Sequence, residues 1–141
     1  MFVSFSDPIM MEYIKNHIPP TDGDINYMCD ILENKHLALV TANQIGIQYR
    51  MFVQQIDDIN TVIYNPSFTA ASDARICVIE RSPQINADFA IDRYREIDAK
   101  WEDENGNLTT RYLTGMNAAT FQSGVDYLNG IPPWAYSKRK I

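Results

Sequence analysis

With 141 residues and 45% hydrophobic content, the chain can bury one sizeable core and is too short for two ordinary domains. Its formal net charge of −6 disfavours a general nucleic-acid or membrane-surface binder, so the expected partner is protein, with no nucleic acid and no membrane. No window approaches the roughly 18 consecutive apolar residues of a membrane span, and "MFVSFSDPIMMEYIK" lacks the basic start and long apolar middle of a secretory signal, which predicts a soluble intracellular protein.

In chain order, the first helix signal is "TDGDINYMCDILENKH", where Thr21 and Asp24 form a capping pattern and Ile25, Met28, Cys29 and Leu32 recur at the spacing of one buried face. The apolar run "LALVTANQIG" follows, then "YRMFVQQ", "TVIYN" and "RICVIE", whose β-branched and aromatic content predicts strands. "YREIDAKWEDENGNLTTRYL" reads as two strands around Asn105-Gly106, a dipeptide suited to the two positive φ angles of a tight hairpin turn. A helix is predicted from near Asn117, with Ala118, Phe121, Val125 and Leu128 facing inward, closed by Gly130 and blocked by Pro132 and Pro133. The order helix, strands, hairpin, helix is that of one α+β domain. Cys29 and Cys77 show no pairing pattern and read as small buried residues rather than a disulfide. His17 and His36 form no metal spacing with them, and the acids of "WEDENG" read as a solvated hairpin tip.

Several of these pieces together resemble the peptide deformylases, hydrolases that remove the formyl group from the initiating methionine of new proteins. "LALVTANQIG" carries Ala42, Gln44 and Gly46 in register with that family's GxGLAAxQxG motif, and "TVIYNPSF" carries an Asn-Pro strand end at Asn65 and Pro66. "QSGVDYLNG" aligns without a gap on QHExDHLxG. The resemblance implies a deformylase-like fold of antiparallel strands packed around a C-terminal former metal helix, with residues 1–130 as the domain and 131–141 as an extended tail.

The same alignment implies that the chemistry is gone. The family holds a divalent metal by a cysteine and by two histidines one helical turn apart, and those positions here are Glu80, Ser123 and Tyr127. The intervening glutamate base aligns with Gly124, and a close-approach glycine aligns with Leu39. Gln44 matches the glutamine that positions water in the family, and it could equally satisfy a backbone group in its loop. Leu39, Gln44, Glu80, Ser123, Gly124 and Tyr127 are thus expected to form a vestigial pocket with no cofactor and no metal, filled by Leu39, Val40 and Tyr127.

The implied function is that of a catalytically inactive deformylase-like protein with a structural or protein-interaction role. The short chain resembles phage-type deformylases, which suggests a virion component, in the tail or baseplate, or a protein of the host cytoplasm. In that reading the tail is a docking arm: Trp134 and Tyr136 are of interface-anchor types, and Lys138, Arg139 and Lys140 form a basic cluster. The alternatives are a non-catalytic peptide- or ribosome-binding module, and a metal-dependent hydrolase rebuilt around Gln44, Glu80 and Cys77.

Overall fold

The computed structural model describes residues 1–136. Helix α1 spans Asp22–Asn34 and opens with a reciprocal cap: the Thr21 hydroxyl accepts from the Asp24 amide at 3.1 Å, and the Asp24 carboxylate accepts from the Thr21 amide at 2.9 Å. Its buried face, Ile25, Met28, Ile31 and Leu32, packs on Val40, Ala42, Met51 and Val53, with Cys29 half-buried at the margin. This places α1 on one face of the sheet that follows.

The strands are β1 (Leu39–Thr41), β2 (Met51–Ile56), β3 (Ile59–Ala70), β4 (Arg75–Ser82), β5 (Ala87–Tyr94), β6 (Glu96–Glu102) and β7 (Leu108–Thr114). They form an antiparallel five-stranded sheet of order β1-β2-β3-β6-β7 and a separate antiparallel ribbon, β4-β5. Between Tyr64 and Ser67 the β3-β6 register shifts. Asn65 there has φ +49°, and Pro66 brings no amide to the ladder, so the long strand bends at the Asn-Pro pair.

Helix α2 spans Gly115–Leu128 and lies between the two sheets. Ala118, Phe121, Val125 and Leu128 face the five-stranded sheet, among Phe52, Ile63, Ile97, Ala99, Trp101 and Leu113. The Phe121 ring meets Phe52 nearly edge-on at 5.6 Å and Trp101 at 5.7 Å. Its other side carries Ala119, Ser123 and Tyr127, all buried. A helix buried on two sides has little amphipathic contrast, because both faces need apolar or small residues.

Two expectations change, and a further strand joins the fold. Only Gly106 of the Asn105-Gly106 pair takes a positive φ, +79°; the turn covers residues 103–107, and the Asp103 carboxylate accepts from the Asn105 and Asn107 amides at 2.9 Å each. Strand β5 has no regular alternation of buried and exposed residues, which hides it from a period-two reading. Residues 131–136 do not leave the core: Pro132 and Pro133 are buried, Pro133–Ala135 form a short 3-10 turn, and Trp134 sets its ring against Tyr127 and Phe5 at 6.4 and 6.2 Å. Folding back takes the indole out of water, which an extended arm would not. Lys138, Arg139 and Lys140 lie outside the described residues.

Gly130 makes that return possible. Its φ is +77°, and a Cβ there would sit 2.7 Å from the Glu12 carbonyl carbon and oxygen. Gly130→Ala should lower unfolding free energy by about 2–5 kcal/mol, combining the left-handed penalty with overpacking, as chemical denaturation would measure.

Candidate functional site

The site is assembled from β4, α2 and the segment after α1. Along β4 alternate residues face opposite ways, so Val78, Glu80 and Ser82 turn inward while Cys77 and Ile79 are exposed on the other face. Cys77 is therefore neither buried, as expected, nor on the side of Glu80 where a shifted ligand would have to be. Ser123 and Tyr127, one turn apart on α2, project toward Glu80. Leu39 and Gln44 close the remaining wall.

These five residues line one cavity of about 320 Å³. Its floor is made of buried polar groups, with Gln44 1%, Ser123 6% and Tyr127 3% exposed. Val78, Ala119 and Pro83 add apolar wall, and exposed Lys35, His36 and Arg81 stand at the rim. The expected filling has not occurred. Leu39 and Tyr127 form walls, and Val40, the next residue along the strand, turns away into the α1 cluster.

Gly124 takes no part in this cavity. Its Cα faces the five-stranded sheet, and a Cβ there would meet the Phe52 ring at 2.6 to 2.8 Å. Gly124 is what lets Phe52 approach the helix backbone.

The dominant electrostatic feature is Arg93 on β5. Its guanidinium binds Glu80 through two bonds, Nε to Oε2 at 2.7 Å and Nη2 to Oε1 at 3.0 Å, and donates through Nη1 to Asp126. The Ser123 hydroxyl donates to Glu80 Oε1 at 2.8 Å, and the Tyr136 hydroxyl donates to Asp126 at 2.6 Å. The Arg93 side chain is only 5% exposed. Burial alone would lower its pKa, but the hydrogen bonds and charges of Glu80 and Asp126 outweigh that and hold it well above its ordinary value.

Burial raises the Tyr127 phenol well above the usual tyrosine range. It lies near enough to Ser82 for that hydroxyl to oppose the shift in part, although the buried Ser82 oxygen makes no aligned hydrogen bond among the described residues. Tyr136 is pushed up to about 12, by burial first and then by its bond to Asp126.

This donor set does not fit a transition metal. Both Glu80 oxygens are engaged by a cation, Ser123 spends its proton on Glu80, and Tyr127 is held as a neutral phenol, whereas a metal requires deprotonated donors free to converge on it. Among the described residues, no three His, Cys, Asp or Glu side chains group as a metal would need. The Gln44 oxygen is also engaged: its Oε1 accepts from the Thr41 amide at 2.9 Å, while its Nε2 donates one of its two protons to Gln84 at 3.2 Å.

Two of the tail residues expected to anchor a partner make contacts within this chain, Trp134 against Tyr127 and Tyr136 on Asp126. Arg93 escaped the sequence reading because β5 did, and nothing local in "AIDRY" pairs it with Glu80, which lies 13 residues earlier.

The polypeptide deformylase family profile matches residues 2–140. A peptide deformylase-like protein of Rickettsia conorii is 32% identical over 125 residues, covering 81% of this chain and 67% of that one. A peptide deformylase of Thermotoga neapolitana is 26% identical over 134 residues, covering 90% and 80%. Of solved structures, Plasmodium falciparum peptide deformylase in complex with inhibitor superposes with a TM-score of 0.84 at 22% identity, covering 96% of this chain and 87% of that one. The Thermotoga maritima enzyme gives 0.81 at 24% identity, covering 94% and 92%. At such identities the structural likeness establishes the fold.

Two outcomes follow from the ion pairs. Arg93→Met should cost about 3–5 kcal/mol in a denaturation experiment, because it leaves two carboxylates without their cation. With pH, the Tyr136 contribution is fully present below the ordinary tyrosine pKa of about 10 and is lost as pH rises through about 12, since its folded value is the higher one. Thermal stability should therefore fall across that alkaline window, and Tyr136→Phe should remove part of the fall.

Proposed function

The chain belongs to the polypeptide deformylase family, and from that premise we propose that it is a non-hydrolytic member, a binding module that keeps the family's cavity without its metal chemistry. The observation that carries this reading is the occupation of the three aligned ligand positions. Glu80 is clamped by Arg93 and Ser123 within the cavity wall, and Tyr127 stands beside them as a neutral phenol. A bound ion would otherwise supply a water acidified from about 15.7 to near 7, and a general base a further factor of about 10² to 10⁴. Glycine at position 124 can supply no such base.

What favours binding over a purely structural role is the cavity itself. An empty apolar void costs about 24 cal/mol per Å³ when it must be sealed, but this one opens to solvent and keeps a polar floor. Of the docking arm expected over residues 131–141, Trp134 and Tyr136 make contacts within the domain, and Lys138, Arg139 and Lys140 lie outside the described residues.

The purified protein should carry no stoichiometric iron, nickel or zinc by elemental analysis and should not hydrolyse formyl-Met peptides. Ser123→His alone should restore neither, because groups that act as a unit do not recover singly. Near one metal per chain, with turnover that disappears on Glu80→Ala, would replace this reading with that of a rebuilt hydrolase.

A further inference from the structure

Strand β7 is an outer edge of the five-stranded sheet, and its ladder with β6 runs without a register shift. The Gly115 amide donates to the Arg95 carbonyl and the Asp103 amide to the Asn107 carbonyl, each at 2.9 Å, which fixes the phase of that ladder. Its hydrogen-bonded pairs fall at Trp101-Thr109, Ala99-Arg111 and Ile97-Leu113. The amides and carbonyls of Leu108, Thr110 and Tyr112 therefore point the other way, out of the sheet, and meet no partner among the described residues.

Proteins commonly blunt such an edge with lysine, proline or a bulge, and β7 has none of these. Its outward residues are uncovered, Leu108 being 64% and Tyr112 54% exposed. The Tyr112 hydroxyl donates to Glu96 at 2.8 Å, which holds the ring in place before any partner arrives. The strand carries one charge, Arg111, and spends it on Asp57. Copies of a chain with net charge −6 repel one another, but β7 adds no acid to that repulsion. The opposite edge of the sheet, β1, is only three residues long and offers no comparable template.

These features suit a second copy of the same strand. In an antiparallel pairing of β7 with itself, a twofold axis through Arg111 would set two guanidiniums opposite each other, which like charges oppose. An axis through Thr110 instead sets Leu108 against Tyr112 of the second copy, twice over, and Thr109 against Arg111. Aliphatic and aromatic side chains so placed support one another across strands. We propose that β7 pairs antiparallel with β7 of a second copy about a twofold axis through Thr110, joining two five-stranded sheets by about six backbone hydrogen bonds. An interface of one strand is small, so the dimer is reversible, with a dissociation constant on the order of 10–100 μM. No residue of β7 lines the cavity between β4 and α2, and the pairing stands or falls independently of the binding-module reading.

Sedimentation equilibrium of the full chain from about 5 μM to about 1 mM should pass from monomer to dimer and stop there, since a twofold pairing uses up the edge. Thr110→Lys sets two ammonium groups together on the axis and should weaken the dimer about fivefold or more. Thr69→Lys, exposed on β3 two strands away, should change it by less than about twofold. Amide hydrogen exchange on the unmutated chain checks the same pairing without a variant. The Leu108, Thr110 and Tyr112 amides should slow several-fold as concentration rises, while Thr109, Arg111 and Leu113, bonded to β6 in either state, change far less. A chain still monomeric at about 1 mM would overturn the inference and leave the edge to an extended segment of another protein. Growth past the dimer, a Thr110→Lys dimer as tight as the unmutated one, or a dimer in which those three amides exchange as fast as in the monomer would overturn it as well.

Discussion

Arg93 holds the two halves of this molecule to one another. The β4-β5 ribbon shares no ladder with the five-stranded sheet. It is tied to α2 by the Glu80-Ser123 and Arg93-Asp126 contacts and by Gln122, whose side-chain amide bonds the Tyr94 amide at 2.9 Å and carbonyl at 2.8 Å. A guanidinium so little exposed is tolerated only because its fork geometry meets two carboxylates. Each carboxylate in turn has a hydroxyl donor from the α2 side or beyond it, Ser123 for Glu80 and Tyr136 for Asp126. The polar network is the seam of the fold, and through Glu80 and Ser123 it also reaches the cavity.

That double duty explains the division of labour along α2. One side is spent on the aromatic cluster around Phe121, where burial supplies the larger share of stability. The other side is spent on groups that burial alone would penalise and that persist because they satisfy each other. The helix is fixed between two sheets, so Ser123 and Tyr127 reach the same cavity without depending on a loop.

How much of this the sequence disclosed depended on how local each determinant was. The Thr21-Asp24 cap, Ile25, Met28 and Leu32 of α1 and the quartet Ala118, Phe121, Val125 and Leu128 are set by spacing within one element, and the structure has them as read, with Ile31 rather than Cys29 completing the buried face of α1. The α+β fold came from motif order over most of the chain, as did the convergence of Leu39, Gln44, Glu80, Ser123 and Tyr127. Other determinants are set by pairing between distant strands. Arg93 acquires its role from the register of β4 against β5, and Cys77 is exposed because β4 alternates about Val78 and Glu80. Whether the cavity would be filled turned on strand parity, which sends Leu39 and Val40 opposite ways. The fold-back of Trp134 turned on one glycine and the space beside Glu12.

The contact between Phe52 and Gly124 makes each position answer for the other. With glycine at 124, the ring settles against bare helix backbone and joins the Phe121 cluster, fully buried. A side chain placed at 124 must displace the ring, and a smaller residue at 52 leaves a hole for as long as 124 is glycine. Each substitution is unfavourable without the other, so the two positions are coupled in the way neighbouring core residues are. Both mixed states are worse packed than the present pair, and any exchange of this pair for another passes through one of them. Positions 52 and 124 therefore behave as a single unit of the core, open to joint replacement and closed to replacement one at a time.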